Sequence, residues 1–337
     1  MNHQPTNYRR IVLAARPRGQ VLPEHFRIET AQLPGPGELA EGQVLVRNDY
    51  LSLDPYMRGR MAESKSYAAP QPLDETMIGA TAGEVLASRH PKFAPGDQVT
   101  GMLGWAEMGV ADGGLLRKVD TSRIPLSAYL GVVGMPGMTA WYGVNQILQP
   151  QPGQTVLVSA ASGAVGSAVG QLVKLLGCRA VGIAGGPDKC AYVVDELGFD
   201  ACVDYKAGDL KADLKAAAPG GIDALFENVG GVVFDTALPL LNPFARIALC
   251  GLIAGYNGED AAIRNMRYLL TSRVMLRGFI VTEHLDVWPQ GLAELGALVA
   301  DGKLAYRESV AQGLAAAPDA FIGLLAGRNF GKQLVRL

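Results

Sequence analysis

The chain is predicted to be an α/β protein, a β-rich lobe followed by a doubly wound parallel sheet. Three observations carry the prediction. Before residue 120, short apolar stretches are divided by Gly and Pro turns; after Ser127, apolar strands alternate with helix-length segments. Between them, Ile124 to Val173 contains no charged residue.

In the lobe, Arg10–Ala14, Gln43–Arg47, Ala82–Leu86 and Leu115–Val119 are strand candidates. Turn signals lie between them at Leu33–Gly37, Ala94–Asp97 and Asp112–Gly114. Short strands at this spacing point to a barrel-like module. Further on, Thr155–Ser159 is an uninterrupted apolar strand, and Ala164–Leu176 a helix closed by Gly177. Arg179–Ala184 and Asp188–Leu197 repeat the strand–helix pair, and Gly198 ends the second helix. Ala201–Asp204, Ile222–Phe226, Arg246–Cys250 and Val274–Ile280 continue the strands. A helix around Ala320–Leu325 and a strand Lys332–Leu337 complete the chain. Apolar strands of this kind are buried on both faces, as in parallel sheets.

Composition then narrows the function classes. Lys and Arg total 30 against 32 Asp and Glu, a net charge of −2 that excludes electrostatic nucleic-acid binding as a main activity. Apolar residues make up 49% and charged ones only 18%, enough apolar surface for a substantial core. The uncharged stretch does not read as a membrane span. Pro125, Pro136, Pro150 and Pro152, with Gln146, Gln149, Gln151 and Gln154, interrupt it, so it is expected to be a buried seam. Cys178, Cys190, Cys202 and Cys250 form no CxxC pair, and the opening MNHQPTNYRR has no apolar leader core. Reduced thiols and a cytoplasmic address are the expectation.

The chemistry-bearing motif is Ser159-Ala-Ala-Ser-Gly-Ala-Val-Gly-Ser167, which follows a strand and opens a helix. Its Ala160-x-x-Gly163-x-x-Gly166 spacing is the dinucleotide fingerprint with Ala at the first Gly position. Gly163 would let a pyrophosphate approach the backbone, Gly166 would let the helix pack on the sheet, and the helix start would attract the anion. A purely structural tight turn is the alternative. An NAD enzyme tends to carry an acid at the end of the next strand to hold the ribose. Here that strand ends Ile183-Ala184-Gly185-Gly186, followed by Pro187-Asp188-Lys189. An open Gly-Gly and a cation suit a 2′-phosphate, which favours NADP over NAD. A solvated lysine in a helix's first turn is the other reading of Lys189.

Seven motifs in order extend the picture. They are Leu51–Arg58 (LSLDPYMR), Gly134–Ala140 (GMPGMTA), Ala161–Ser167, Glu227–Gly231 (ENVGG), Cys250–Asn257 (CGLIAGYN), Gly278–Val281 and Asn329–Lys332. With them the chain resembles the medium-chain dehydrogenase/reductase superfamily along essentially its whole length. It is most similar to the zinc-independent branch of leukotriene 12-hydroxydehydrogenase/prostaglandin reductases, alkenal double-bond reductases and curcumin reductase. The resemblance implies a GroES-like catalytic and substrate domain at 1–126, a Rossmann NADP-binding domain at 127–301 and a C-terminal return to the first domain at 302–337.

By position, it also implies an NADPH/NADP+ site. Gly163, Ala164, Val165 and Gly166 would hold the pyrophosphate, Lys189 the 2′-phosphate and Tyr205 the adenosine end. Asn228 and the run from Cys250 and Gly251 to Tyr256 would reach the ribose and nicotinamide. Phe279, Ile280 and Val281 would flank the nicotinamide, and Asn329 would close over the phosphates.

No metal is expected. Leu51 stands where zinc alcohol dehydrogenases place a Cys, Gly79-Ala80-Thr81 replaces their Gly-His-Glu, and the Cys-rich lobe is absent. His3, His25, His90 and His284 are scattered and read as surface or packing residues. Without a Lewis acid, the expected chemistry is hydride transfer to the β-carbon of an α,β-unsaturated ketone or aldehyde, with a neutral donor at the carbonyl oxygen. Tyr256 matches the family's active-site tyrosine, as stabiliser, proton relay or cofactor anchor. Tyr50 is a second candidate, for the substrate cleft or for core packing. Tyr56, Met57 and Arg58 shape either a pocket or only a turn, while Met135, Met138, Trp141 and Tyr142 read chiefly as core. A quinone oxidoreductase or a non-catalytic NADPH sensor are the competing functions; the DPYMR and Tyr256-Asn257 motifs disfavour the former, and a donor-lined apolar cleft the latter. A small-molecule enone or enal is the expected partner, with no nucleic acid or membrane. A homodimer joined at the sheet edge near Val274–Ile280 is what the family implies.

Overall fold

The computed structural model describes residues 6–259 and 261–337; the segment 1–5, with His3, lies outside the described residues. The chain forms two compact units. One comprises Met1–Gly131, Glu308–Asn329 and Gln333–Leu337; the other comprises Val132–Arg307 and Phe330–Lys332.

In the first unit, β1 (Thr6–Leu13) pairs antiparallel with β2 (Phe26–Leu33). A larger antiparallel sheet contains β3 (Gln43–Ser52), β4 (Thr81–Ser88), β5 (Gln98–Gly101), β6 (Met108–Asp112) and β7 (Arg117–Lys118). The strand expected at Leu115–Val119 is thus cut to two residues. The Asp112 carboxylate accepts the Gly114 N–H at 2.7 Å and caps a 3-10 turn over Gly113–Leu115, which takes Leu115 out of the sheet. The sequence pattern also missed β2, half of whose residues are exposed and whose apolar alternation changes phase at Thr30.

Phe26 stacks on Trp105 with centroids 5.2 Å apart, and Phe321 meets both rings edge-on. Ile11, Leu51, Leu53, Met61, Met77 and Val335 surround them. Met57 belongs to this core, and the buried Arg58 guanidinium donates to the Gly19 carbonyl at 2.7 Å; both serve packing and the turn.

The second unit is a six-stranded parallel sheet of β8 (Thr155–Ser159), β9 (Arg179–Ala184), β10 (Ala201–Asp204), β11 (Ile222–Glu227), β12 (Leu241–Leu249) and β13 (Met275–Gly278). The order is β10-β9-β8-β11-β12-β13, so consecutive strands run outward from β8 in both directions. Such a reversal beside β8 creates the crevice at which doubly wound sheets take ligands. Every residue of β8 is buried, whereas β13 at the edge is exposed throughout.

The helix after β8 runs Gly166–Leu175 and starts two residues later than expected from Ala164. The preceding turn is closed by the Gly163 N–H donating to the Ala160 carbonyl, with Ala160 in the left-handed region at φ 50°. The helix after β9 spans Pro187–Ala191 and widens into a π turn over Tyr192–Glu196, where the Leu197 N–H donates to the Tyr192 carbonyl. The uncharged seam forms the helix Met135–Tyr142, buried from Pro136 onward, as its composition suggested. Trp141 Nε1 donates to Glu294 at 2.6 Å there.

Finally, β14 (Glu308–Gln312) and β15 (Lys332–Arg336) extend the larger sheet of the first unit, in the order β14-β15-β3-β4-β5-β7 with β6 on β3. Among the described residues, no helix is long and apolar enough to cross a membrane.

Candidate functional site

The site is built from loops at the carboxyl ends of the parallel strands. At the end of β8, Gly163, Ala164 and Val165 are half-buried and Gly166 is buried. A Cβ on Gly166 would lie 2.4 Å from the Ala160 carbonyl oxygen, so only glycine lets the helix begin this close to the strand. Val165 supplies no side-chain cap to that helix. Gly163 forms a parallel bridge with Gly331, whose N–H donates to the Ser162 carbonyl, so a C-terminal strap borders the turn.

At the end of β9, the expected Gly185–Gly186 pair lies next to the segment leaving β10. Asp204, brought to this corner by the pairing of β10 with β9, is occupied with backbone. It accepts the N–H groups of Gly186 at 2.8 Å and Lys206 at 3.0 Å, and these hold its carboxyl below the ordinary range. Lys206 Nζ sits 5.7 Å from the centre of the half-exposed Tyr205 ring. Lys189 Nζ lies 5.7 Å from the Phe330 ring. Burial, followed by the charge of Lys206, pushes the Lys189 ammonium below its ordinary value. Two cations of unlike parentage therefore feel each other across this corner. Phe330 also meets Tyr192 edge-on at 5.1 Å and Arg307 at 4.2 Å.

At the ends of β11 and β12, Asn228 ties neighbouring strands together. Its N–H donates to Ser159 Oγ and its Nδ2 to the Ser159 carbonyl, both at 2.8 Å. Cys250 and Gly251 donate their N–H groups to the Glu227 carbonyl. The chain then turns through Ile253–Gly255 and brings the Tyr256 hydroxyl back over Gly251, 3.5 Å from where a Cβ on that glycine would lie. A cavity of about 400 Å³ opens here, lined by Cys250, Gly251, Leu252, Tyr256, Phe279 and Ile280, with Glu283 on its wall. Burial and then the Glu227 carboxyl push the Cys250 thiol up to about 12, so it stays protonated.

Phe279 backs the cavity. Its ring stacks on Tyr142 at 5.4 Å and meets Phe226 edge-on, while Tyr142 stacks on His284 at 4.3 Å. Val281 is buried outside the cavity lining, and its carbonyl accepts Trp288 Nε1–H.

The structure thus brings Cys250, Gly251, Tyr256, Phe279 and Ile280 to one cavity, and Lys189 and Tyr205 to one corner. Tyr50 lies in the first unit, half-buried against Ala82, Leu130 and Leu334. Asn329 ends the first unit's C-terminal segment, one residue before Phe330 joins the second. Sequence reasoning missed Lys206, Phe330, Glu283 and the inward carboxyl of Glu227. The Asp204-Tyr205-Lys206 and Asn329-Phe330 runs contained the first two, but only the fold places them near Lys189.

Leu51 is wholly buried in the first unit's core. His25 Nδ1 accepts the Leu22 N–H, His90 Nδ1 accepts the Lys92 N–H, and His284 is stacked on Tyr142. Among the described residues, no three His, Cys, Asp or Glu side chains are grouped to hold a metal ion.

Comparison with known proteins places this architecture. Residues 9–119 match the family model for the N-terminal domain of oxidoreductase, and residues 164–297 match that of zinc-binding dehydrogenase. The chain is 46% identical over 344 residues to the NADPH-dependent curcumin reductase of Escherichia coli (strain K12), covering 100% of this chain and 99% of that protein. It is 44% identical to the 2-alkenal reductase (NADP(+)-dependent) of Nicotiana tabacum, over 87% of this chain and 86% of the relative. The crystal structure of CurA from Vibrio vulnificus in complex with NADPH superposes with a TM-score of 0.92 at 47% identity, covering 97% of this chain and 98% of that one. The chain belongs to the medium-chain dehydrogenase/reductase family, in the branch of the curcumin and alkenal reductases.

Proposed function

We propose that the protein is an NADPH-dependent reductase of the carbon–carbon double bond in α,β-unsaturated ketones and aldehydes, working without a metal. The observation that carries the reading is the cavity at the strand ends, where the Tyr256 hydroxyl faces Gly251 between Cys250 and Ile280. An apolar cavity with one neutral donor suits an uncharged conjugated carbonyl compound.

The residues fit the dinucleotide. The cramped Gly166 start and uncapped helix suit a pyrophosphate, assigned to Gly163–Gly166. The Lys189–Lys206 corner, where one ammonium depresses the other, suits the doubly charged 2′-phosphate, and Tyr205 offers its ring to the adenosine. Asn228, Cys250 and Gly251 border the ribose and nicotinamide, with Phe279 and Ile280 as the wall; Val281 supports the wall from behind.

When bound, NADPH supplies the hydride that adds to the β-carbon of the substrate. Negative charge then builds on the substrate's carbonyl oxygen. The Tyr256 O–H donates a hydrogen bond to that oxygen, and proton delivery to the α-carbon completes the reduction. A neutral phenol does this without a Lewis acid. The replacement of ligand positions by Leu51 and Ala80 supports metal independence.

We assign residues 1–126 and 302–337 to a GroES-like substrate domain and 127–301 to cofactor binding. A cytoplasmic homodimer joined edge to edge at β13 completes the reading; the strand's place at the sheet edge, paired among the described residues with β12 alone, and its exposure support it. The test is NADPH and NADH oxidation with an alkyl enone, a quinone and no acceptor. Enone-dependent oxidation of NADPH far above the other combinations is expected. Turnover confined to the quinone would overturn the assignment, and light scattering decides the dimer.

A further inference from the structure

Glu227 ends β11 with a side chain that is 0% exposed, an unusual place for a carboxyl. Its Oε1 accepts the N–H groups of Val229 at 2.7 Å and Gly230 at 2.6 Å, which bends the chain sharply as it leaves the sheet. That bend carries the next layer. The Asn228 carbonyl accepts the Ile253 N–H at 3.2 Å, and the Val229 carbonyl accepts the Ala254 N–H at 2.9 Å. The turn built on those two bonds delivers Tyr256, whose own N–H donates to Ile253. Glu227 is therefore two hydrogen-bonded steps from the phenol, and it is not itself part of the cavity lining, although the lining residues Cys250 and Gly251 rest on its backbone carbonyl.

Its second oxygen is the anomaly. Oε2 is buried without a hydrogen-bond partner. The groups facing the carboxyl are few. From β8 comes the Ser159 hydroxyl, which donates to the Phe226 carbonyl at 3.4 Å. From the segment after β12 comes the Cys250 thiol, itself protonated. The 228–230 loop contributes only its amides. Among the described residues, no cation acts on Glu227, so an ionised carboxylate would hold uncompensated charge away from water.

Resting on the functional reading above, we propose that Glu227 is a positioning residue for the nicotinamide end of the site, holding the Tyr256 turn through the 228–230 loop and doing so as a neutral acid. One oxygen accepts the two loop amides, and the other keeps a proton. Burial, only partly offset by the Gly230 and Val229 N–H groups, raises this carboxyl to about 7. Rising pH ionises it, and the loop must open to hydrate the charge. A bound dinucleotide, which excludes that water and adds negative charge nearby, favours the protonated form. NADPH affinity must then fall as the acid ionises.

The experiment measures NADPH dissociation constants by fluorescence titration of the full chain from about pH 5.5 to about pH 8.5, with kcat on an alkyl enone read in parallel. Wild type is expected to lose about tenfold in affinity through the step, one pK unit's difference between free and bound forms. Glu227→Gln keeps an acceptor for both amides but cannot ionise, so it shows only the background change from the second ionisation of the 2′-phosphate, at about pH 6, and lacks the additional wild-type step. Glu227→Ala frees the loop, weakening NADPH at every pH and lowering kcat by about tenfold or more. A Gln variant that keeps the wild-type step, or a wild type without one, overturns the proposal alone. An Ala variant equal to wild type in affinity and kcat does the same. If Glu227→Ala does not fold, the Gln comparison decides. A wild type that binds no NADPH sinks the functional reading and this inference with it.

Discussion

The Tyr205 ring lies over Gly185 so closely that a Cβ on the glycine would fall 2.8 Å from Tyr205 Cε1 and 2.9 Å from Lys206 Cε. The obstacle is two side chains, not backbone, so Gly185→Ala should fold. It should push the ring and the ammonium aside and weaken NADPH roughly fivefold, about 1 kcal/mol. Parallel titrations with NADH, which lacks the 2′-phosphate, should show a smaller change.

Lys189 and Lys206 approach the same corner from different strands' loops, and burial together with the Lys206 charge raises the cost of charging Lys189 there. Lys189→Ala should weaken NADPH by about 1–3 kcal/mol, the range for a hydrogen bond to a charged group, and leave NADH nearly unchanged. Lys206, more exposed, should cost less. Equal losses for both cofactors would remove the phosphate role.

Tyr256→Phe deletes one oxygen and keeps the ring. If the hydroxyl stabilises the developing enolate, kcat should fall by about 10- to 1,000-fold. NADPH affinity should shift by less than about tenfold, since at most one neutral hydrogen bond is lost. Steady-state kinetics together with a direct titration separate a catalytic donor from a cofactor anchor.

Exhaustive dialysis against a chelator should leave both enone reduction and melting temperature unchanged. Elemental analysis that finds stoichiometric zinc, lost together with activity, would reverse the metal-free reading.

Glu227 also predicts how the cofactor-free protein responds to pH. Its folded value of about 7 lies above the ordinary 4.5, so the folded state holds a proton that the unfolded state has released. Stability from this group is therefore greatest below about pH 4.5 and declines as pH rises to about 7. The total is on the order of 3 kcal/mol. Urea denaturation of wild type and Glu227→Gln should differ in slope across that window.

The parallel sheet was legible because its strands are apolar on both faces: β8, β9 and β10 fall where unbroken apolar runs predict them. The lobe was less so. β2 and β14 are part-exposed strands in which the apolar alternation is short or broken, at Thr30 in β2 and after Val310 in β14, so hydrophobic period gives them a weak signal. At the site, Tyr256 and Lys189 stand beside glycines whose purpose can be read from spacing. Lys206 and Phe330 cannot be read that way, since their relation to Lys189 is created by the β10–β9 pairing and the return of the C-terminal strap to Gly163. Glu227 lies in a recognisable motif, yet nothing in ENVGG says that its carboxyl turns inward.

The column of rings behind the cavity, Phe226 against Phe279, Phe279 against Tyr142 and Tyr142 against His284, has a consequence for how this enzyme can change. Each ring is held by its neighbour, so a replacement at any of them must be accommodated by the rest. Drift in substrate preference is therefore channelled to Leu252, Ile280 and Glu283, which line the same cavity outside the column. A library confined to those three positions should retain far more folded, active members than one of equal size drawn from the four rings.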